Sequence, residues 1–168
     1  MYTRLRSILR EARFAPSPAL LKLAEITDFN LYVSTTFDSL LEDALNAVRF
    51  GGAKNTDVAA YTPSELVDLP AVRAAALPRP LVYHLMGRLS ASPTYVISDE
   101  DVLEFVCALQ TAHYTPERLF GEFERNHLLM LGGGFSDWLT RFFLRIAKRR
   151  RLSDPRDCGE VLADSHAF

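Results

Sequence analysis

Residues 29–47, FNLYVSTTFDSLLEDALNA, decide how the rest of the chain is read. Phe29, Leu31, Tyr32 and Val33 form a short run of apolar and β-favouring residues, the composition of a buried strand. Phe37, Leu40, Leu41, Ala44 and Leu45 then recur three and four positions apart, which is one apolar face of a helix. Ser34, Thr35, Thr36 and Asp38 stand at the handover, and Thr35 with Asp38 has capping-box spacing. In an open α/β sheet, ligands bind at such carboxyl ends of strands, beside helix N-termini.

Outward from this unit the pattern repeats. On the N-terminal side, Leu5, Ile8, Leu9 and Ala12 mark a basic amphipathic helix, and Ser17-Pro18 opens another with a cap and a first-turn proline. On the C-terminal side, Val58–Tyr61, Pro80–His84, Tyr95–Ile97, His127–Leu131 and Glu160–Asp164 read as strands. Helices are predicted to open at Thr62-Pro63-Ser64-Glu65, at Ser98 with Asp101, at Thr115-Pro116 and beyond Gly132–Gly134. The last of these presents Phe135, Trp138, Leu139, Phe142, Phe143 and Ile146 on one face, a core stripe. Lys148 to Arg151 follow at its negative end, as solvated capping charges. Strands alternating with helices predict one α/β domain over 1–168, three-layered and Rossmann-like with a mainly parallel sheet.

Composition narrows the function classes. The 168 residues are 48% hydrophobic, enough for a real core, and a net charge of −2 argues against nucleic acid as partner. No apolar run approaches the roughly 18–20 residues that span a bilayer, so no membrane is expected. Cys107 and Cys158 form no CxxC pair, which fits a cytoplasmic protein without a disulfide framework. His84, His113, His127 and His166 show no metal-ligand spacing, and no metal is expected.

Polar or glycine residues gather at STTFD (34–38), HLMG (84–87) and GGGFSD (132–137), which a parallel sheet would bring to one edge. The third lacks both GxGxxG spacing and a Walker lysine, so neither a standard dinucleotide fingerprint nor a P-loop is supported. In this order, LYVSTTFDSLLEDAL, VYHLMGRLSASPTYVISDEDVLEFV and LLMLGGGFSDWLTRFF resemble the sirtuin-like domain of bacterial NAD-consuming antiphage defence proteins.

The resemblance implies NAD as substrate or ligand and no metal, with a homo-oligomer or a partner effector domain as the assembly. It implies that His84 is the catalytic base, with Thr36 and Asp38 beside it. Ser34, Thr35, Gly87, Gly132, Gly133, Gly134 and Asp137 become the nucleotide contacts. Two departures accompany it. The family's asparagine falls on Thr36, whose hydroxyl cannot reproduce the donor–acceptor pair of an amide. The family's opening strand and Gly-Ala-Gly loop have no counterpart before Phe29, since the earliest glycine is Gly51. The expectation is a domain truncated at its glycine-loop end. It is incomplete relative to the full fold and cleaves NAD slowly as a glycohydrolase, not as a zinc deacylase. The alternative is a non-catalytic remnant serving assembly or regulation.

Overall fold

The computed structural model describes residues 2–12, 14–111, 113–132, 138–149 and 160–163. The chain divides into two compact units, residues 1–116 and 117–168. In the first, α1 (Tyr2–Ala12), α2 (Pro18–Glu25), β1 (Leu31–Ser34), α3 (Leu40–Phe50), β2 (Asp57–Ala60), β3 (Leu81–His84) and α4 (Asp99–Gln110) follow in order. The second holds α5 (Glu117–Arg125), β4 (Leu128–Leu131), α6 (Trp138–Lys148) and β5 (Glu160–Ala163). The architecture is mixed α/β and Rossmann-like, as the alternating pattern predicts.

The first unit is built on a parallel sheet of order β1-β3-β2. All four residues of β3 are buried, as a middle strand covered on both faces must be. Register places Tyr32 beside Val82 and Ser34 beside His84. Side chains two apart in a strand share a face, so His84 points to the side that Val82 occupies. There Tyr32 and Val82 pack with Ala24 of α2 and with Ala44 and Leu45 of α3. Ser17 caps α2 as expected, accepting from the Leu20 amide at 3.3 Å. Arg49 of α3 then donates to the carbonyls of Ala24 (2.7 Å), Phe29 (3.1 Å) and Ile26, fastening the end of α2 and the approach to β1.

Several local expectations are corrected. Thr35 and Asp38 do not form a capping box, because α3 begins later: Ser39 is its N-cap and Asp38 Oδ1 accepts from the Leu40 amide at 3.0 Å. Thr62–Glu65 closes a turn through an isolated bridge and opens no helix. Its cap signals are followed by only a few residues before Pro70, with no apolar period to bury. Tyr95–Ile97 contributes a bridge between Tyr95 and Gly87 in place of a strand. The capping box of Ser98 and Asp101 on α4 is present as expected.

In the second unit, β4 and β5 pair in parallel and α5 packs on α6. Lys148 and Arg149 are not merely solvated caps. Lys148 donates to the Asn126 carbonyl at 3.0 Å, and Arg149 pairs with Glu117 and, at 3.1 Å, with Glu124. Phe135, Arg150, Arg151, Cys158, Asp164 and His166 lie outside the described residues.

At Gly87 the backbone admits no side chain. Its φ is +80°, and a Cβ there would stand 2.1 Å from the Thr94 carbonyl oxygen and 2.5 Å from Tyr95 Cα. Both neighbours are backbone and cannot swing aside. Gly87→Ala is expected to destabilise the protein by about 2 kcal/mol or more, from left-handed strain and overpacking together. Denaturant unfolding would measure this; a loss within ~0.5 kcal/mol would contradict the packing described.

Candidate functional site

The carboxyl ends of β1 and β3 bring the first two polar segments together. Ser34 and His84 are register partners, and the turn after β1 lies against the segment after β3. Three turn carbonyls accept from that segment: Ser34 from the Leu85 amide (2.8 Å), Thr36 from His84 Nδ1 (2.9 Å) and Phe37 from the Leu89 amide (2.8 Å). With the carbonyls turned inward, the side chains at the junction satisfy one another. The Thr36 amide donates to Ser34 Oγ at 3.1 Å, and the two hydroxyl oxygens stand 3.0 Å apart. Thr35 is exposed. Phe37 leans on buried Tyr95, with ring centroids 5.1 Å apart, and so ties the turn to the Gly87 bridge.

His84 is the centre of this arrangement, and it is fully buried. Its Nε2 lies 2.9 Å from Glu42 Oε1 of α3, a carboxylate only 3% exposed. A carbonyl oxygen only accepts, so Nδ1 carries the proton of the Thr36 contact. Arg88 Nε reaches the same Glu42 oxygen at 3.3 Å from a half-exposed position. Burial alone pushes the Glu42 carboxyl up. The hydrogen bond and charge of His84, the helix backbone amide and Arg88 outweigh this and hold it below its ordinary value. Glu42 Oε2 has no hydrogen-bond partner among the described residues.

Sequence reading missed Glu42. Ser39-Leu40-Leu41-Glu42 has capping-box spacing, and a glutamate at that third helical position ordinarily bonds back to the cap amide. Here Ser39 makes no side-chain cap bond and its hydroxyl goes to Asp43 at 3.1 Å, while Glu42 turns inward to the strand. The S-x-x-E spacing was a signal for a helix start; nothing in it names a histidine partner.

The third segment belongs to the second unit. Gly132 follows β4 with φ +77°. Gly133, Gly134 and Asp137 lie outside the described residues. Among the described residues no three His, Cys, Asp or Glu side chains are grouped to hold a metal ion. No described helix is long and apolar enough to cross a membrane.

A cleft of about 560 Å³ opens at the other end of the sheet, near Asn30 and Pro80, which precede β1 and β3. Its two arginines are already engaged, Arg49 on backbone carbonyls and Arg79 on Asp57 at 3.0 Å. Ligands of open parallel sheets lie beyond the carboxyl ends of the strands, the end at which the polar junction sits.

The SIR2-like domain family matches residues 30–158, more than half of the chain, and the chain belongs to that family. No curated protein and no solved structure matches it. The matched span starts at β1 and takes in the turn, α3 and β3, so the His84–Glu42 contact lies within it.

Two outcomes follow from this geometry. His84→Ala strands a buried carboxylate and is expected to cost about 3–5 kcal/mol in denaturant unfolding. The second concerns pH. Glu42 has a lower pKa folded than unfolded, so its stabilisation is complete above the ordinary glutamate value of 4.5 and is lost as pH falls through the folded value. Urea midpoints from about pH 7 to about pH 3 should therefore fall less steeply in Glu42→Gln than in the parent. Parallel curves would contradict a paired Glu42.

Proposed function

We propose that this chain is a SIR2-like nucleotide-binding domain, with a ligand of the NAD or ADP-ribose type, that turns NAD over slowly or not at all. The observation that carries the slow turnover is the state of His84: both ring nitrogens are engaged and the ring is fully buried. A general base needs a free lone pair within reach of the proton it removes. Here Nδ1–H is given to the Thr36 carbonyl and Nε2 faces Glu42, so neither nitrogen is free for a substrate hydroxyl. Thr36 adds to this, since its hydroxyl lies on Ser34 and it supplies no carboxamide. Loss of one positioning group at an active site commonly costs about a hundred- to thousandfold in rate.

Family membership supports the nucleotide, and so does a polar junction at the carboxyl ends of parallel strands. In this reading Ser34, Thr35, Thr36, Asp38 and Gly87 line the ligand in the first unit. The family match runs through both units, which supports one family domain over the chain. A second reading is NAD hydrolysis in antiphage defence with His84 as base. The place of His84 at the end of the middle strand favours it.

Calorimetry with NAD and ADP-ribose, together with assay of nicotinamide and ADP-ribose release from NAD, separates these readings. Binding with little or no release is expected. Robust release abolished by His84→Asn would establish the second reading in place of the first. Absence of binding by either nucleotide would remove the nucleotide site altogether.

A further inference from the structure

We infer that Glu42 is a positioning residue: through His84 it fixes the Thr36 carbonyl, and with it the conformation of the Ser34–Asp38 turn. The inference rests on the reading of that turn as part of the nucleotide site, and it assigns the turn's control to a side chain that does not touch it.

The chain of contacts is short. Glu42 Oε1 stands 2.9 Å from His84 Nε2, and His84 Nδ1 stands 2.9 Å from the Thr36 carbonyl oxygen. Since Nδ1 must donate, the Glu42 contact is a hydrogen bond only if one further proton lies between Nε2 and the carboxylate. Arg88 beside the same oxygen favours the ionised carboxylate, which leaves that proton on the ring. His84 is then a buried imidazolium whose two N–H groups donate to the Thr36 carbonyl and to Glu42, which balances its charge. A neutral ring would set its Nε2 lone pair against a carboxylate in a site closed to water. Doubly protonated, the ring braces α3 against the turn.

What the brace holds is the orientation of one peptide group. The Thr36 carbonyl points inward to His84, and the Thr36 amide is taken by Ser34 Oγ. The flanking carbonyls of Ser34 and Phe37 are bonded to the Leu85 and Leu89 amides. Thr36 is the only one of these three carbonyls held by side chains rather than by backbone, by His84 Nδ1 at 2.9 Å and at longer reach by Ser34 Oγ at 3.3 Å. Its position therefore depends on protonation and on a residue of a different element, whereas its neighbours are held by backbone amides.

The test uses the full chain with nitrogen-15-labelled histidine. In the parent at neutral pH, His84 is expected to show two exchange-protected ring N–H resonances. A single protected N–H there overturns the inference whether or not any variant folds. Glu42→Gln is expected to lose the Nε2–H resonance, to shift the backbone amides of residues 34–38, and to weaken ADP-ribose binding about tenfold or more. Glu42→Asp, which keeps the charge at shorter reach, is expected to recover part of each effect. Arg88→Ala, which removes the charge that favours the ionised carboxylate, is expected to weaken the protection of Nε2–H while Nδ1–H stays on the Thr36 carbonyl. Unchanged turn resonances in a folded Glu42→Gln protein would overturn the inference. If the parent binds no ADP-ribose while ring and turn signals still respond to Glu42→Gln, the positioning role stands and the nucleotide reading is the part that fails.

Discussion

Three parts of the first unit meet on one buried imidazole. The middle strand supplies His84, α3 supplies Glu42, and the turn after β1 supplies the Thr36 carbonyl. Bringing a carboxylate and an imidazole out of water costs several kcal/mol per ion before their attraction offsets it. The net gain over an apolar packing is small, but removing either partner leaves a buried charge unpaired. Such a contact contributes definition more than stability. It specifies which residue of α3 faces which residue of β3, and it specifies which way one peptide of the turn points.

The rest of the junction follows from that constraint. Beside the inward Thr36 carbonyl, its neighbours at Ser34 and Phe37 accept from the Leu85 and Leu89 amides, and the whole turn is bonded to the segment after β3. Gly87 lets that segment bend back against Thr94 and Tyr95 where any side chain would collide with backbone. Tyr95, held there, supports Phe37 from behind and reaches α1 by an edge-on contact with Tyr2, ring centroids 5.1 Å apart. The same constraint commits the histidine. A ring with both nitrogens bonded and no exposure is a good brace and a poor base. On the reading proposed above, the contacts that fix the turn leave no nitrogen free at the residue that the family resemblance marks as catalytic.

Much of the fold was legible because burial imposes a period. LVYH at 81–84 reads as a strand, and the structure makes it the middle one, buried along its whole length. Leu41, Ala44 and Leu45 read as one helical face, and that face packs on Tyr32 and Val82. Failures came where local signals had no apolar period behind them. Thr62–Glu65 carries cap and proline but no following stripe, and it stayed a turn. Thr35 and Asp38 have the spacing of a cap, yet Asp38 bonds the Leu40 amide and the helix starts after Ser39. A spacing rule shows where a cap could form; it does not choose among adjacent candidates that tertiary contacts then separate.

By itself the sequence determined the alternation of strands and helices, the parallel sheet, the family, and the meeting of Ser34 with His84 at one sheet edge. Each of these depends on periodicity or on motif order, which are properties of the chain read along its length. Only the tertiary structure decided that Glu42 leaves its own helix cap for a histidine 42 residues away, and that His84 gives both nitrogens to protein. A glutamate at a helix start has water, the cap amide and any nearby cation as partners of similar worth. Which one it takes is settled by strand register, since that alone places an imidazole within hydrogen-bond reach in a site closed to water.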